Sequence, residues 1–143
     1  MTLHLIKLCV GVETLQELAE WQKGRLAELK KKKRPLELVH MTRQTPKRAA
    51  ELLDGGSLYW VIKGQVAARQ RLIDLRPATK NGVPHCGIVY EPKLVATAKR
   101  SHRPFQGWRY LNAGDAPPDL RDLKGGKGLP DALKAELAAL GLL

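Results

Sequence analysis

Cysteine is scarce. Cys9 and Cys86 stand far apart and form no CxxC pair, so they cannot supply the clustered ligands of a structural zinc site. Both lie in apolar runs, "LIKLCVGV" and "PHCGIVY", and are expected as small core side chains. Ser57 and Ser101 are the only serines. Neither sits in the GxSxG elbow that exposes a catalytic hydroxyl. The four histidines are scattered, with no HExxH spacing, so no metal and no cofactor is expected. His40 and His85 read as packed or hydrogen-bonded rings. The glycines of "LKGGKGLP" miss the P-loop pattern, because Gly128 follows the lysine where Ser or Thr is needed. Asp54, Asp74, Glu91 and Asp115 are isolated, which leaves no carboxylate pair for acid–base work. No nucleophile–base pair emerges, and a non-catalytic protein is expected. Hydrolysis or transfer on a nucleotide would have to draw on His40, His102 or Asp74.

Long apolar runs are missing too. No segment approaches the roughly 20 residues of a membrane span. The N-terminal "MTLHLIKLCVGVE" lacks a basic start followed by a cleavable apolar stretch. No membrane partner is expected, and a reducing cytoplasm is the expected compartment.

Acidic residues are outnumbered: 14 Asp plus Glu face 25 Lys plus Arg, a formal charge of +11 over 143 residues. That length fits one domain with a modest core. The charge excess keeps a chain soluble and also favours polyanions: RNA, DNA or anionic lipid.

Local patterns predict an order of elements. "LHLIKLCV", bounded by Gly11, reads as a strand. Thr14 and Glu17 form a capping box, so a helix starts near Leu15. Leu15, Leu18, Gln22, Leu26 and Leu29 share its inward face, with Trp21 beside them. It runs towards "KKKKR", whose cations suit a helix C-terminus, and Pro35 stops it. "LELVHM" is a second strand. Thr45-Pro46 reads as the cap and first position of a short helix, "PKRAAELLDGG", closed by Gly55 and Gly56. "LYWVIKG" and "QVAARQRLIDL" are strands joined near Gly64. Asn81-Gly82 marks a hairpin, and "HCGIVYEP", "KLVATAKRS" and "GWRYL" complete the strands. Residues 112–128 read as a turn-rich connector, and residues 129–143 as a C-terminal helix within a single domain spanning 1–143. Strands clustered mid-chain with helices at the margins predict α+β: a small, curved mixed or antiparallel sheet forming a partial barrel.

Three segments mix cations with aromatics or amides: "MTRQTPKR", "ARQRLIDLR" with Arg69, Gln70 and Arg71, and "KRSHRPFQGWRYL". Arginine grips phosphate bidentately, and aromatic rings stack on unpaired bases. On a strand, Trp108 and Tyr110 would share one face and Arg109 the other. The expected partner is therefore nucleic acid, with RNA ahead of DNA because sheet-borne aromatics suit single strands. An aromatic wall at Tyr59 and Trp60 is expected to stand beside the guanidinium groups of the next strand.

The runs "LHLIKLCVGVETLQELAEW", "VHMTRQTPKRAAELLDGGSLYWVIKG", "RQRLIDLRP" and "RPFQGWRYL" resemble a family of alphaproteobacterial proteins known only as a domain of unknown function. The resemblance spans residues 1 to about 120 and implies a cytoplasmic bacterial protein without implying an activity. The layout is also similar to EVE and ASCH domains of the PUA-like superfamily, partial barrels that bind RNA or modified bases beside the barrel. The EVE-type Ser-Glu-Pro entry and the ASCH glycine–lysine–arginine pattern are absent here. By position, that likeness implies a pocket flanked by Arg43, Lys47, Arg48, Lys63, Arg69 and Arg71, with Trp60 or Trp108 as base platform. The resulting expectation is a non-catalytic module for RNA or a modified nucleotide, with Gln70 and Arg109 among its contacts. The other reading is an assembly factor, docking an acidic partner through the basic face and the C-terminal amphipathic helix.

Overall fold

The computed structural model describes residues 2–122. Its elements follow the expected order: β1 (Leu3–Leu8), α1 (Leu15–Lys31), β2 (Leu38–Thr42), α2 (Ala49–Leu53), β3 (Ser57–Ile62), β4 (Gln65–Lys80), β5 (Val83–Tyr90), β6 (Val95–Ser101) and β7 (Trp108–Asn112). Two short 3₁₀ turns, Ala113–Asp115 and Leu120–Asp122, occupy the first part of the expected connector. The expected helix at 129–143 lies outside the described residues.

The strands form one open mixed sheet in the order β2-β5-β4-β3-β1-β7, with β6 also on β4. β1 and β3 run parallel and the other pairs antiparallel. The class is α+β, and the curvature agrees with a partial barrel. β4 is the hub. Its first half lies between β3 and β6, and its second half leaves them to pair with β5. Register shifts mark the bend, one around Ala67 and one around Ile73. Bulges of this kind bend a strand and sharpen its twist.

β4 runs through Pro77, and β5 contains Pro84. Sequence alone stops the strand at Leu75. Beyond Leu72, β4 pairs with β5 alone, and β5 pairs with β2 only from Cys86 onwards. A missing N–H therefore costs no ladder bond on the open edge.

Both sheet faces are covered, which explains why β1 carries leucine and isoleucine towards both faces instead of alternating apolar with exposed polar residues. Leu3 and Leu5 point to the inner face with Leu58, Trp60, Ile88 and Tyr90; Ile6 points outward with Tyr59, Val61, Val66 and Leu111. Helix α1 closes the inner face through buried Leu18, Gln22 and Leu29. Its start uses the expected Thr14–Glu17 pair with one change of partner: the Glu17 amide donates to Thr14 Oγ1 at 3.1 Å, while the Glu17 carboxylate accepts from the amide of Glu13, one residue before the cap, at 3.2 Å. Its end is not made by Pro35. Lys33 adopts φ 54°, and the amides of Lys33 and Arg34 return to the carbonyls of Lys30 and Leu29. This is a Schellman closure with lysine in the left-handed position that glycine usually fills.

Helix α2 begins at Ala49, three residues after Pro46, and Arg48 caps it without a side-chain bond. The Tyr110 hydroxyl on β7 instead accepts from the amides of Lys47 (3.0 Å) and Arg48 (3.2 Å). A distant side chain has taken over the role expected of Thr45.

Candidate functional site

The hairpin from β3 to β4 decides which side chains meet. Its turn residues, Lys63 and Gly64, have φ of 50° and 74°, as a type I′ turn requires. Ile62 then pairs with Gln65 and Val61 with Val66. Continued without interruption, that register would put Ala67, Arg69 and Arg71 on the face of Trp60. The bulge at Ala67 pairs Trp60 with Ala68 instead, and a one-residue slip exchanges the two faces. Trp60 therefore points inward with Gln70, and Arg69 and Arg71 point outward with Tyr59 and Ser57. The expected aromatic platform beside the arginines does not form, because Trp60 lies across the sheet from them.

Gln70 is fully buried. Its Oε1 accepts from Trp60 Nε1 (2.9 Å) and Gln22 Nε2 (2.8 Å); its Nε2 donates to Gln22 Oε1 (2.8 Å) and the Glu91 carbonyl (3.0 Å). It ties α1 to the sheet and is closed to any ligand.

On the outer face, Arg69 grips Asp119 with Nε and Nη2, each at 2.7 Å, and donates from Nη1 to Ser57 Oγ at 3.0 Å. Hydrogen bonds from Arg69 hold the Asp119 carboxyl below the usual carboxylate range. Around this clamp lies a polar concavity of about 380 Å³, lined by Gly55, Arg69, Arg71, Glu91, Lys93 and Arg121. Arg71 and Lys93 are exposed, and no ion pair involves either among the described residues. Arg121 lies 3.5 Å from Asp119. Sequence reading places Arg69 and Arg71 here but misses Lys93, Arg121 and Asp119. Lys93 comes from the turn after β5, and Asp119 and Arg121 from the segment after β7, which the bridge between Thr97 and Asp119 and the Ala98 amide on the Pro118 carbonyl dock against β6.

The remaining expected site residues are spread out. Lys63 sits on the hairpin turn, 3.8 Å from Glu13. Arg48 bonds to Glu51 (Nε to Oε1, 3.1 Å) and lies 5.5 Å over the Tyr110 ring. Arg43 and Lys47 are exposed on the same segment. Trp108 and Tyr110 share a face, as expected, and meet edge to face at 4.9 Å. Trp108 is buried, however, with Nε1 donating to the Gln44 carbonyl at 2.8 Å. Arg109 turns to the opposite face, over Phe105 at 5.7 Å. The structure therefore gathers Arg69 and Arg71 around one hollow, sets Lys47 and Arg48 beside Tyr110 with Arg43 exposed on the same segment, and leaves Lys63 and Arg109 apart from both.

A second concavity, about 340 Å³, opens on the inner face between the end of β1, α1 and β2. Its walls include Lys7, Cys9, Trp21, His40, Trp60 and Tyr90. Burial pushes the Cys9 thiol up to about 11. Burial, followed by the charges of Lys7 and Lys80, lowers His40 to about 4. Burial also lowers the Lys7 ammonium and raises the Tyr90 phenol.

Two histidines are thus held neutral. His4 is lowered by burial and by Arg69, and its Nδ1 accepts from the Ser57 amide at 2.9 Å, which an imidazolium could not do. Both folded pKa values lie below the unfolded value of about 6.5. Their stabilisation is complete above that value and is lost as pH falls below it, for His40 down to about 4. Unfolding stability should drop by about 2 kcal/mol between pH 7 and pH 5, discounted for the water that reaches both rings. Urea titrations across that range check it. The His4→Asn/His40→Asn double variant should lose most of the slope, and an unchanged slope would refute the assignment.

Among the described residues, no helix is long and apolar enough to cross a membrane. No curated protein and no solved structure matches the chain. The family described as "Protein of unknown function (DUF1489)" matches residues 5–143, a span that includes the C-terminal segment beyond the runs quoted above, and the chain belongs to that family.

Proposed function

We propose that the chain is a non-catalytic, cytoplasmic nucleic-acid-binding module that grips the phosphodiester backbone of RNA in the outer basic concavity. One observation carries the reading. Arg69 and Arg71 on β4, Lys93 after β5 and Arg121 after β7, drawn from three separate parts of the chain, line a single polar hollow on a molecule of formal charge +11. Asp119 and Glu91 offset part of that charge, but exposed Arg71 and Lys93 present their donors to solvent. Guanidinium and ammonium groups so placed suit phosphate oxygens. Arg43, Lys47 and Arg48 form a second cationic cluster beside Tyr110, which is 36% exposed, where a base could stack.

Binding should weaken steeply with salt, because each neutralised phosphate releases counterions. The test is fluorescence anisotropy with single-stranded and hairpin RNA across a salt series. Replacing Arg71 and Lys93 together by Gln should reduce the slope of log K against log salt by about 1.5. Arg69 is left intact so that the Asp119 clamp survives. No binding at low salt, or an unchanged slope in the double variant, would overturn the reading. A protein partner that survives nuclease treatment would point to the assembly role instead.

A further inference from the structure

The inner concavity has a chemistry unlike that of the outer one. Lys7 on β1 points into it and is 9% exposed. Among the described residues, its ammonium has no hydrogen bond and no ion pair, and no carboxylate lines the cavity. A shielded charge without a counterion is costly. Neither neighbouring titratable group can supply a negative charge near neutral pH. The Cys9 thiol on the same chain segment keeps its proton, and so does the Tyr90 phenol on β5. His40 on β2 is neutral and contributes at most one hydrogen bond.

The rest of the cavity is aromatic and held in place. The Trp60 indole is tied through Nε1 to Gln70. Tyr90 meets it edge to face at 5.7 Å and His40 at 6.0 Å. The mouth is apolar as well: Val10, Trp21 and Val39 line it and are 80%, 56% and 45% exposed. Among the described residues, these are three of the six exposed large apolar side chains. A concave, mostly apolar site with a few convergent polar groups fits a small molecule, and the volume lies near the lower end of the usual range, about 300–1,000 Å³.

We propose that this cavity binds a small planar organic acid, with its ring against Trp60, Tyr90 and Trp21 and its carboxylate on Lys7 Nζ. A monoanion fits better than a phosphate ester, because one ammonium and one neutral imidazole cannot satisfy three phosphate oxygens. The ligand supplies the counter-charge that the protein withholds. The site lies across the sheet from the basic groove and stands independently of RNA binding.

The test is calorimetry on the full chain with four probes: 1-naphthoate, neutral 1-naphthalenemethanol, 1-naphthyl phosphate and acetate. Naphthoate should bind about 10- to 100-fold more tightly than the neutral alcohol, the margin of a hydrogen bond to a charged group. Acetate, without a ring, should bind far more weakly. Lys7→Met keeps most of the side chain's bulk without its charge and should erase the preference for the acid over the alcohol, while leaving the RNA salt slope unchanged. A second readout needs no variant. At alkaline pH, naphthoate binding should draw a proton onto Lys7, seen as a dependence of the heat on buffer ionisation enthalpy. Equal affinity for acid and alcohol, preference for the phosphate, no naphthoate binding at millimolar concentration, or absence of proton uptake would each overturn the proposal.

Discussion

Gly56→Ala is expected to destabilise the fold by about 3–5 kcal/mol, at the upper end of what overpacking costs. A Cβ at this position would lie 2.3 Å from the carbonyl oxygens of both Leu3 and Leu52. Neither can yield. Leu3 is fixed in β1, between β3 and β7, and the Leu52 carbonyl accepts the Gly56 amide at 2.9 Å. The Gly56 carbonyl in turn accepts from the Leu72 amide at 2.9 Å, so the glycine is pinned where α2, β1 and β4 meet. Gly55 provides the contrast. It has φ 84° and nothing within 4 Å of a built Cβ. Gly55→Ala should cost only the left-handed backbone penalty, about 1–2 kcal/mol. Urea unfolding of the two variants separates steric from conformational cost, and equal losses would contradict this account.

The pair also shows what local sequence conveys. "DGG" marks a helix end because glycine tolerates a left-handed turn, and Gly55 makes that turn. Nothing in the string reveals that Gly56 is required for lack of space, since the obstructing carbonyl of Leu3 is more than fifty residues away. The same division recurs elsewhere. Helix α1 announces its start through Thr14 and Glu17, three residues apart. The hairpins at Lys63-Gly64 and Asn81-Gly82 follow from two-residue turns. The start of α2 was misplaced because its amides bond to Tyr110, and the end of α1 because a lysine adopts the conformation expected of glycine.

The candidate site was legible in composition and illegible in arrangement. Charge and the clustering of Arg69 with Arg71 were plain, and period-2 alternation correctly paired Trp108 with Tyr110. The same alternation, carried along the hairpin, would set Trp60 beside the arginines. One bulged residue, Ala67, reverses that outcome, and alanine there carries no bulge signal. The inner cavity was equally hidden. Lys7 stands next to last in a mostly apolar strand, and nothing local shows that its amine turns inward beside His40, Trp60 and Tyr90.

Gln70 stands in a basic, amide-rich string that reads as a nucleic-acid contact, yet its replacement should act on stability. Gln70→Leu keeps most of the volume but removes all four hydrogen bonds of the amide. It strands Trp60 Nε1, the Glu91 carbonyl and both ends of the Gln22 amide in a site shielded from water. Unsatisfied buried groups cost about 1–3 kcal/mol each. With partial relaxation of α1, a total loss of about 3–5 kcal/mol is expected. The double variant Gln22→Leu/Gln70→Leu should be more stable than the sum of the single losses predicts, by about 2 kcal/mol, because it removes both halves of the reciprocal amide pair together. Trp60 should report the change directly. Freed from Gln70, its indole loses the bond that orients one wall of the inner cavity, so the affinity for naphthoate and for the neutral alcohol should fall together in Gln70→Leu, with RNA binding unaffected where the variant remains folded. Additive losses in the double-mutant cycle would mean that the two glutamines do not act as a pair, and α1 would then be held to the sheet by its leucines alone.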